Sequence, residues 1–557
     1  MHTRQQMWDA IPEEADLLVI GGGVTGAGIA RDAARRGLKT VLVEMADLAS
    51  GTSSRSSKLV HGGLRYLEHY EFSLVFEAVS ERRILLDIAP HLVNPLGFLF
   101  PVYESSRRRL WFINAGMWLY DGLSLFRSPQ LHRTLDPEEV RAEEPTLNAD
   151  GLTGAPLYYD GSTDDARLTL ETALDAAEHG ATIATWTRVR SFAKDGRARV
   201  IGAVVEDMMG GGLKEIRAHA VINATGPWTD RTVAMSKALG TGPLLRPTKG
   251  VHIVVDHARL PVNHAVVALH PTDGRVLFAI PWGDRTYIGT TDTDTEGDPA
   301  EVAATAADVD YLIGAANAYF PGRALVRDDV IATWAGLRPL MAPMHSGSDI
   351  DESAVSREHQ IVVGQDGLIT IAGGKLTTYR RMAAEVVDTA CKLLRLGNHL
   401  PGDLRAADTD QAPLPGAVGW PEDDDHAAVA AVIKKAARGH LSPAVARHLG
   451  DTYGMRAVPI ALRIADDASL AAPLVDGRPE IIAQVDWAVT EELAARLVDV
   501  MARRTQLFYR DRDQGLGAAP AVARRMAGLL GWDEARTAGE IAHYERVVAR
   551  SRQWRDA

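Results

Sequence analysis

The stretch SSRSSKLVHGGLRYLEHY, residues 53–70, brings groups for three kinds of chemistry into one loop-like segment. His61 can exchange a proton near neutral pH, because the pKa of an imidazole is about 6.5. Arg65 presents a planar fork of N–H donors that fits a phosphate or a carboxylate, and Tyr66 adds a hydroxyl. Two glycines follow the histidine and give it little side-chain cover. This combination is typical of a site that holds a polar substrate and removes a proton from it.

A glycine fingerprint lies upstream, in a segment with the pattern strand, turn, helix, strand. An apolar run over 17–20 leads into Gly21-x-Gly23-x-x-Gly26, and a helix face of small residues follows. These glycines allow a tight turn, the approach of a pyrophosphate and close helix–strand packing, in that order. Glu44 ends the second strand, where a carboxylate accepts hydrogen bonds from an adenosine ribose and repels a 2′-phosphate. The pattern predicts a dinucleotide site that disfavours NADP and leaves FAD and NAD open.

The segment after Glu44 favours FAD. An NAD-binding fold usually continues with another strand–helix unit, whereas SGTSSRSSKLVHGGLRYL is polar and has little apolar periodicity. Such a loop can follow the extended dinucleotide towards the redox ring, with serine hydroxyls and backbone N–H groups as donors. The apolar strand in HAVINATGPW ends at Gly226 and predicts a second loop over the dinucleotide.

Motifs spread in order from residue 17 to about 385 resemble FAD-dependent glycerol-3-phosphate dehydrogenase. They are VIGGGVTGAGIARDAARRGL, SSKLVHGGLRYLEHYEFSLV, INATGPWTD, GTTDTDTEGDP, GLRPL and GGKLTTYRRMAAE. A further motif, WAVTEEL…ARRT within 487–505, resembles that family's C-terminal helical domain. The resemblance implies an α/β fold with a glutathione-reductase-type, Rossmann-like FAD domain, an interleaved antiparallel-sheet substrate domain and a C-terminal α-helical domain. It also implies FAD as a non-covalent cofactor.

This layout divides the chain, which is too long for a single hydrophobic core. The predicted parts are an FAD domain over 12–90, 155–245 and 350–400, a substrate domain over 91–154 and 246–349, a linker over 401–425, and a helical domain over 426–557. The linker is rich in proline and acids, and the segments beyond it are amphipathic. The predicted cofactor contacts are Gly21, Gly23, Gly26, Glu44, Thr52, Ser53, Ser57, Lys58, Gly226, Gly374, Lys375, Leu376 and Thr377.

The substrate that the resemblance implies is sn-glycerol 3-phosphate, oxidised to dihydroxyacetone phosphate with hydride transfer to flavin N5. Arginine is the expected phosphate ligand, because its fork binds two oxygens at once. The resemblance places Arg65, Arg338 and Arg357 around the substrate, and Tyr66 and His252 complete the predicted substrate contacts.

The predicted catalytic residues are His61, Lys375 and Arg338. His61 is predicted as the base, although a histidine there could instead only hydrogen-bond or pack against the flavin. His252 is a second candidate base, but it lies in an alternating strand and could be structural. Lys375 follows two glycines at the start of a predicted helix, where its charge and the helix dipole would stabilise an anionic reduced ring.

The electron acceptor that the resemblance implies is a quinone, reached from a membrane surface. The stretch 105–127 carries four arginines against one aspartate, with aromatic residues between them. Such a segment suits a membrane interface, and it equally suits a core helix of the substrate domain. We find no run of about 18 apolar residues and no apolar run of signal-peptide length at the start. The predicted location is therefore the cytoplasm, peripheral on the inner face of the cell membrane.

Composition narrows the function classes further. The net charge of −13 argues against a nucleic-acid partner, and the single cysteine, Cys391, excludes an internal disulfide framework. DTDTEGD, from Asp292 to Asp298, imitates a calcium loop but has Ala303 at the twelfth position, so it predicts a structural turn and no metal site. The resemblance also suggests self-association, with a dimer favoured.

Three other functions compete with the dehydrogenase. A glycerol-3-phosphate oxidase shares these motifs but passes electrons to oxygen, and the oxidase family resembles this one with an internal insertion that this chain lacks. An amine or amino-acid oxidase would need carboxylate recognition instead of this arginine set. A flavin-binding protein without turnover is the remaining alternative.

Overall fold

The computed structural model describes residues 3–63, 71–124, 128–237, 243–295, 297–342 and 359–556. The helices are α1 (Arg4–Asp9), α2 (Val24–Arg36), α3 (Phe72–Ile88), α4 (Leu110–Leu123), α5 (Pro137–Glu143), α6 (Asp165–Glu178), α7 (Thr229–Ser236), α8 (Ala306–Tyr319), α9 (Tyr379–Leu396), α10 (His426–Ala436), α11 (Pro443–Tyr453), α12 (Ala457–Asp466), α13 (Ile482–Glu491), α14 (Leu497–Asp499), α15 (Leu507–Arg510), α16 (Ala519–Leu530) and α17 (Glu534–Arg552).

The strands are β1 (Glu14–Ile20), β2 (Thr40–Val43), β3 (Leu59–Val60), β4 (Val93–Leu99), β5 (Val102–Tyr103), β6 (Arg133–Leu135), β7 (Leu152–Thr163), β8 (Thr182–Ala184), β9 (Thr187–Lys194), β10 (Val200–Asp207), β11 (Leu213–Asn223), β12 (Leu245–Asp256), β13 (Ala265–Leu269), β14 (Val276–Trp282), β15 (Arg285–Gly289), β16 (Thr293–Asp294), β17 (Val330–Met341), β18 (His359–Val363) and β19 (Ile369–Gly373). They form two sheets, and the elements that follow β19 in the described chain are helical.

The first sheet has β1 near its centre, in the order β18-β19-β11-β1-β2-β8. β1 pairs in parallel with both β11 and β2, and α2 supplies the crossover that a parallel β1–β2 pair needs. Every residue of β2 is buried, as expected for a strand covered on both faces. The predicted succession of strand, turn, helix and strand over 17–44 is confirmed, and so is the α/β class.

Two glycines of the fingerprint are required by close backbone contacts. Gly21 has a φ of +114°, and a Cβ atom there would lie 2.4 Å from the carbonyl oxygen of Ala224. A Cβ atom on Gly26 would lie 1.9 Å from the carbonyl oxygen of Gly21. Any side chain at either position would therefore push β1, α2 and the loop after β11 apart.

Helices α2, α6 and α9 pack on the first sheet through one buried cluster. It joins Leu17 and Val19 of β1 to Ala30 of α2, Leu174 of α6 and Val386 of α9. The face of α9 that packs on the sheet is buried at Met382, Val386, Val387, Ala390 and Leu394 and partly buried at Leu393. Cys391 lies buried within the same helix as a free thiol, where it packs as a small apolar residue.

The second sheet has eleven strands over the described residues and is mainly antiparallel. Its longest pairing joins β12 to β17, and β7 pairs with β3, β4, β5 and β6. Two predicted domain boundaries therefore need correction. The division between 154 and 155 falls inside β7, and the division between 245 and 246 falls inside β12. Both strands pair with partners of the second sheet along their length, and β3, at 59–60, joins that sheet too.

The predicted linker is packed against the FAD-binding part of the chain. Leu414 is fully buried, and its N–H donates to the carbonyl oxygen of Ile88. Arg31 of α2 donates to the carbonyl oxygens of Thr409 and Ala412. The segment is irregular apart from a short 3-10 turn over Pro415–Ala417, but these contacts hold it in one place.

Candidate active site

A cavity of about 460 Å³ lies where the carboxyl ends of β1, β2 and β11 meet the second sheet. Ligands of open parallel sheets bind at this end of the strands. The predicted residues that line it are Gly21, Gly23, Glu44, Thr52, Ser53, Ser57, His61, Gly226, His252, Arg338, Gly374, Lys375, Leu376 and Thr377. Gly26 and Lys58 do not line it, and Arg65, Tyr66 and Arg357 lie outside the described residues.

The wall of the cavity is strongly cationic, in contrast to the acidic chain as a whole. Among the described residues that line it, Glu44 is the one acid. The basic members are Arg55, Arg188, Arg231, Arg338 and Lys375. Arg188, Arg231 and Arg338 each pair with a carboxylate outside the lining. The basic groups and N–H donors of the wall still favour an anionic occupant, such as a pyrophosphate or a phosphate ester.

Glu44 follows β2 and is held by backbone donors. Its Oε2 accepts from Gly22 N at 2.6 Å and its Oε1 from Ala46 N at 2.9 Å. Burial raises the pKa of this carboxyl, while the two N–H bonds oppose that rise. Each carboxylate oxygen keeps acceptor capacity beyond one bond, so the predicted ribose contact is compatible with this arrangement.

The hydroxyls of the serine-rich loop hold neighbouring elements. Thr52 Oγ1 donates to the carbonyl oxygen of Leu337 on β17 at 2.7 Å. Ser53 Oγ accepts from Val24 N at 2.9 Å and so caps α2, whose N-cap position is a glycine. Ser57 Oγ bonds His252 Nε2 at 2.9 Å. The loop lines the cavity as predicted, and its side chains also tie α2 to the second sheet.

Lys58 points away from the cavity into a buried ion pair. Its Nζ lies 2.5 Å from Asp165 Oδ1 and 5.4 Å from the ring centre of Trp334. Burial alone would lower the pKa of this lysine, but the carboxylates of Asp165 and Asp164 outweigh that effect and raise it. The side chain predicted as a cofactor ligand therefore joins β3 to the start of α6.

His61 is half-buried in the cavity wall, next to Thr377. The backbone N–H of His61 donates to Thr377 Oγ1 at 3.2 Å, and that hydroxyl donates to the backbone carbonyl oxygen of His61 at 3.3 Å. On the other side, Gly62 N donates to Tyr120 Oη at 3.0 Å, which ties the histidine loop to α4. These bonds fix the main chain on both sides of the imidazole.

His252 is almost fully buried on β12, at 3% exposure. Its ring stacks on Trp334 with centroids 4.8 Å apart, and its Nδ1 has no hydrogen-bond partner among the described residues. Burial lowers the pKa of His252 well below 6.5, and the charges of Arg338 and Lys58 add to the shift. This histidine is neutral at working pH, which suits a hydrogen-bonding role better than storage of a proton.

Arg338 projects from β17 and is held by three partners. Nη1 lies 2.7 Å from Asp292 Oδ1, and Nη2 donates to Thr290 Oγ1 at 3.0 Å and to the carbonyl oxygen of Thr291 at 3.1 Å. The turn that imitated a calcium loop therefore supplies the carboxylate that orients this guanidinium.

Lys375 lies in the turn between β19 and α9. The helix begins at Tyr379, so the lysine precedes it by a full turn of chain instead of occupying its first turn. Gly373 and Gly374 have φ values of +77° and +94°, which fold the chain back so that Lys375 and Leu376 face the cavity. Lys375 therefore lies before the first turn of α9, so the predicted contribution of the helix dipole beside it is smaller. The charge of the lysine remains at the cavity wall.

Arg55 is a cavity residue that the sequence argument left unassigned. It makes a 3.4 Å bond to the carbonyl oxygen of Ala335 and has no carboxylate partner among the described residues. Burial lowers its pKa below the ordinary value, and Arg503 and Arg550 add to the effect. The sequence did indicate an arginine without a nearby counter-charge, because no acid lies between Asp47 and Glu68 to neutralise Arg55.

Two family models match this chain in succession. One, described as FAD dependent oxidoreductase, matches residues 16–380, and one described as the C-terminal domain of alpha-glycerophosphate oxidase matches residues 407–537. Glycerol-3-phosphate dehydrogenase 2 of Mycobacterium tuberculosis is 42% identical over 536 residues, which are 96% of this chain and 88% of that protein. The chain belongs to the FAD-dependent glycerol-3-phosphate dehydrogenase family.

Other members of this family match this chain over nearly its whole length. The aerobic glycerol-3-phosphate dehydrogenase of Staphylococcus epidermidis is 37% identical over 559 residues, covering 100% of this chain and 97% of that protein. The crystal structure of glycerol-3-phosphate dehydrogenase from Bacillus halodurans with FAD matches with a TM-score of 0.79 and 32% identity, over 98% of this chain and 97% of that one. The family's cofactor is FAD.

The residues of the cavity fit that cofactor. The close backbone approach at Gly21, the position of the cavity at the start of α2 and the basic side chains of its wall suit a pyrophosphate. Glu44, the predicted ribose ligand, lines this cavity together with His61 and Lys375. Most residues predicted to contact FAD therefore line this cavity, while Gly26 and Lys58 do not.

Residues Leu110–Leu123 of the arginine-rich aromatic stretch form α4, with one face buried and the other exposed. Met117 and Tyr120 are buried, whereas Trp111 is 71% and Trp118 56% exposed. The exposed members of α4 and of its neighbour α3, which we call the aromatic face, are Phe72, Phe76, Trp111, Phe112, Trp118 and Leu119. The core-helix interpretation holds for one side of α4 only.

No helix in the described part of the chain combines the length and the apolar character needed to span a bilayer.

Proposed function

We propose that this protein oxidises sn-glycerol 3-phosphate to dihydroxyacetone phosphate with FAD as the oxidant and passes the electrons to a membrane quinone. The observation that carries the proposal is one cavity that combines the glycine loop with His61, Arg338 and Lys375. Relatives named glycerol-3-phosphate dehydrogenase, at 37–42% identity over nearly the whole chain, support the choice of substrate.

FAD, when bound, supplies the two-electron oxidant. His61 is the proposed base, which takes the proton of the C2 hydroxyl at an imidazole nitrogen. Thr377 supports this role, because its hydroxyl bonds both the backbone N–H and the backbone carbonyl of His61 and so fixes the main chain from which the ring projects. Removal of that proton leaves negative charge on the substrate oxygen, which a neighbouring cation would stabilise.

Arg338 and Lys375 are the proposed cations. Asp292 and Thr290 hold the guanidinium of Arg338 in one orientation, so little reorganisation is needed when an anionic substrate arrives. The neutral imidazole of His252 is proposed to hydrogen-bond a substrate hydroxyl from the opposite sheet. Arg65 and Arg357 remain the proposed phosphate ligands together with Arg338, and Tyr66 remains a proposed substrate contact.

The test is anaerobic titration of the purified holoenzyme with glycerol 3-phosphate, followed by the absorbance of oxidised flavin. We expect bleaching by the phosphate ester and none by glycerol at the same concentration, because glycerol offers no anion to the cationic wall. Flavin that stays oxidised with both compounds would contradict the proposed substrate. Bleaching by both would contradict the phosphate-binding role of the arginines.

The proposed acceptor is supported by the aromatic face. Arginines precede α4 and aromatic side chains are exposed along it, which is the composition of a segment that lies in a membrane interface. Tyr120 of the same helix bonds Gly62, the residue after His61, so a membrane contact there would lie beside the active-site loop. A quinone in the bilayer would then approach the cavity from a short distance.

Oxygen is the alternative acceptor, because the C-terminal family model is described by an oxidase. The two acceptors are separated by reducing the holoenzyme with glycerol 3-phosphate and then adding either air or a short-chain quinone. We expect fast reoxidation by the quinone and slow reoxidation by air. One hydrogen peroxide per flavin, formed at the rate of turnover, would instead identify an oxidase.

A further inference from the structure

The C-terminal helical domain inserts charged side chains into the FAD-binding part of the chain. Segment 492–506 contains a π-helical turn over Val500–Arg504, and two of its arginines reach Asp47. Arg504 binds both carboxylate oxygens of Asp47, at 2.7 and 2.9 Å, and Arg503 Nε binds Oδ2 at 2.5 Å. Asp47 is fully buried, so this pairing is excluded from water.

The same segment holds a second loop of the FAD-binding part. Asp499 accepts a bond from Trp186 Nε1 at 3.1 Å, and Arg503 binds the other oxygen of Asp499 at 2.7 Å. Trp186 follows β8, and its backbone N–H donates to the carbonyl oxygen of Ala46 at 2.8 Å. The loop of Asp47 and the loop of Trp186 are therefore bonded to each other, and both are bonded to the C-terminal domain.

These two loops form the nucleotide end of the cavity. Residues 44–50 contribute Glu44, Met45 and Ser50 to its wall, and Thr187 follows Trp186. Thr187 N donates to the carbonyl oxygen of Glu44 at 2.7 Å, and Ala49 N donates to that of Gly22 at 3.0 Å. A shift of Asp47 would thus move the ribose carboxylate and the glycine turn together.

We infer that the C-terminal domain positions the nucleotide end of the FAD site, with Arg504 and Arg503 holding Asp47, and Asp499 holding Trp186. These are positioning residues, since none of them lines the cavity. Their removal should speed the release of FAD, because breaking a buried charge pair on one side is strongly destabilising and would free the loop that carries Glu44. This role rests on the family's cofactor and not on the proposed substrate or acceptor.

The experiment measures FAD release from diluted holoenzyme by the rise of flavin fluorescence, for wild type, Arg504→Met and Arg504→Lys. We expect release about tenfold or more faster in Arg504→Met. Arg504→Lys should fall between the two, because a lysine keeps the charge but cannot bind both oxygens of Asp47. If Arg504→Met does not yield folded protein, Asp47→Asn carries the same expectation of faster release.

The control separates a specific role from general loosening of the domain. Arg478 also joins the C-terminal domain to the rest of the chain, through Asp284 at 3.0 Å, in the turn between β14 and β15. Arg478→Met should lower the Tm while leaving FAD release within about twofold of wild type. Unchanged release in Arg504→Met, or equal acceleration in Arg478→Met at a similar loss of Tm, would overturn the inference.

Discussion

Ser57 Oγ and His252 Nε2 lie 2.9 Å apart, and this hydrogen bond joins the serine-rich loop of the FAD site to the second sheet. The same histidine stacks on Trp334, whose Nε1 donates to the carbonyl oxygen of Ser56 at 3.1 Å. Loop and sheet are therefore held together through a buried ring. The cavity between them is preformed in the fold, and the protonation state of His252 matters to its stability.

His252 should make the protein sensitive to mild acid. In the unfolded chain its imidazole titrates near pH 6.5, whereas burial holds the folded pKa well below that value. Stability from the neutral ring is fully present above pH 6.5 and is lost as the pH falls below it. Between pH 7.5 and 5.5, wild type should lose about 1 kcal/mol more stability than His252→Asn, measured by urea unfolding. Equal losses in both proteins would show that the folded ring accepts the proton.

His61 should account for a different pH effect, on turnover. We expect His61→Asn to lower kcat/KM for glycerol 3-phosphate by about 100-fold or more and to abolish the acidic limb of its pH profile. His252→Asn should lower kcat/KM too but keep that limb, since its ring is neutral across the range. The flavin absorbance of each preparation gives the cofactor content. A limb that persists in His61→Asn would assign the base to another group.

Much of the fold could be predicted from local patterns. The glycine fingerprint and the acid at the end of β2 each depend on short-range chemistry, and both are found where the sequence placed them. Lys58 shows the limit. Its neighbours suggested a cofactor contact, but its partner Asp165 lies 107 residues away, and a buried ammonium is strongly stabilised by such a carboxylate.

Long-range pairing also explains what the site analysis missed. Asp292 was interpreted as part of a structural turn, and only the antiparallel register of β12 with β16 and β17 brings it to Arg338. The boundary between the interleaved domains is a second case of the same limit. β7 is continuous across the boundary that the sequence placed between 154 and 155. Side chains whose role depends on a distant strand carry no local signal of it.

Arg55 should contribute to binding of the anionic substrate. Its charge has no carboxylate partner in the described chain, whereas Arg231, also in the cavity wall, lies 3.1 Å from Asp298. A charge-assisted bond is worth about 1.5–3 kcal/mol, so Arg55→Met should raise KM by roughly 10- to 100-fold. Arg231→Met should change KM much less. Steady-state kinetics at saturating acceptor distinguish these outcomes, and equal effects of the two variants would contradict the assignment.

The aromatic face should determine membrane binding. Trp111 and Trp118 expose rings of large area on one side of α4, and transfer of such rings to a bilayer interface is favourable. The double variant Trp111→Ser/Trp118→Ser should bind anionic phospholipid vesicles about tenfold or more weakly in co-sedimentation. Its reduction of a water-soluble dye should remain near the wild-type rate, because both rings point away from the core that α4 shares with α3.

Leu396 provides the matched control, since it is 85% exposed at the end of α9. Leu396→Ser removes exposed apolar area of another region and should leave vesicle binding unchanged. If the double tryptophan variant still binds as wild type, the membrane contact lies elsewhere on the protein. If vesicle binding falls but quinone reduction on vesicles does not, the proposal that the quinone approaches the cavity beside α4 and the loop of His61 is wrong. A parallel loss of both activities is what we expect, because the Tyr120–Gly62 bond holds the buried side of α4, the helix that carries this face, against the loop of the proposed base His61.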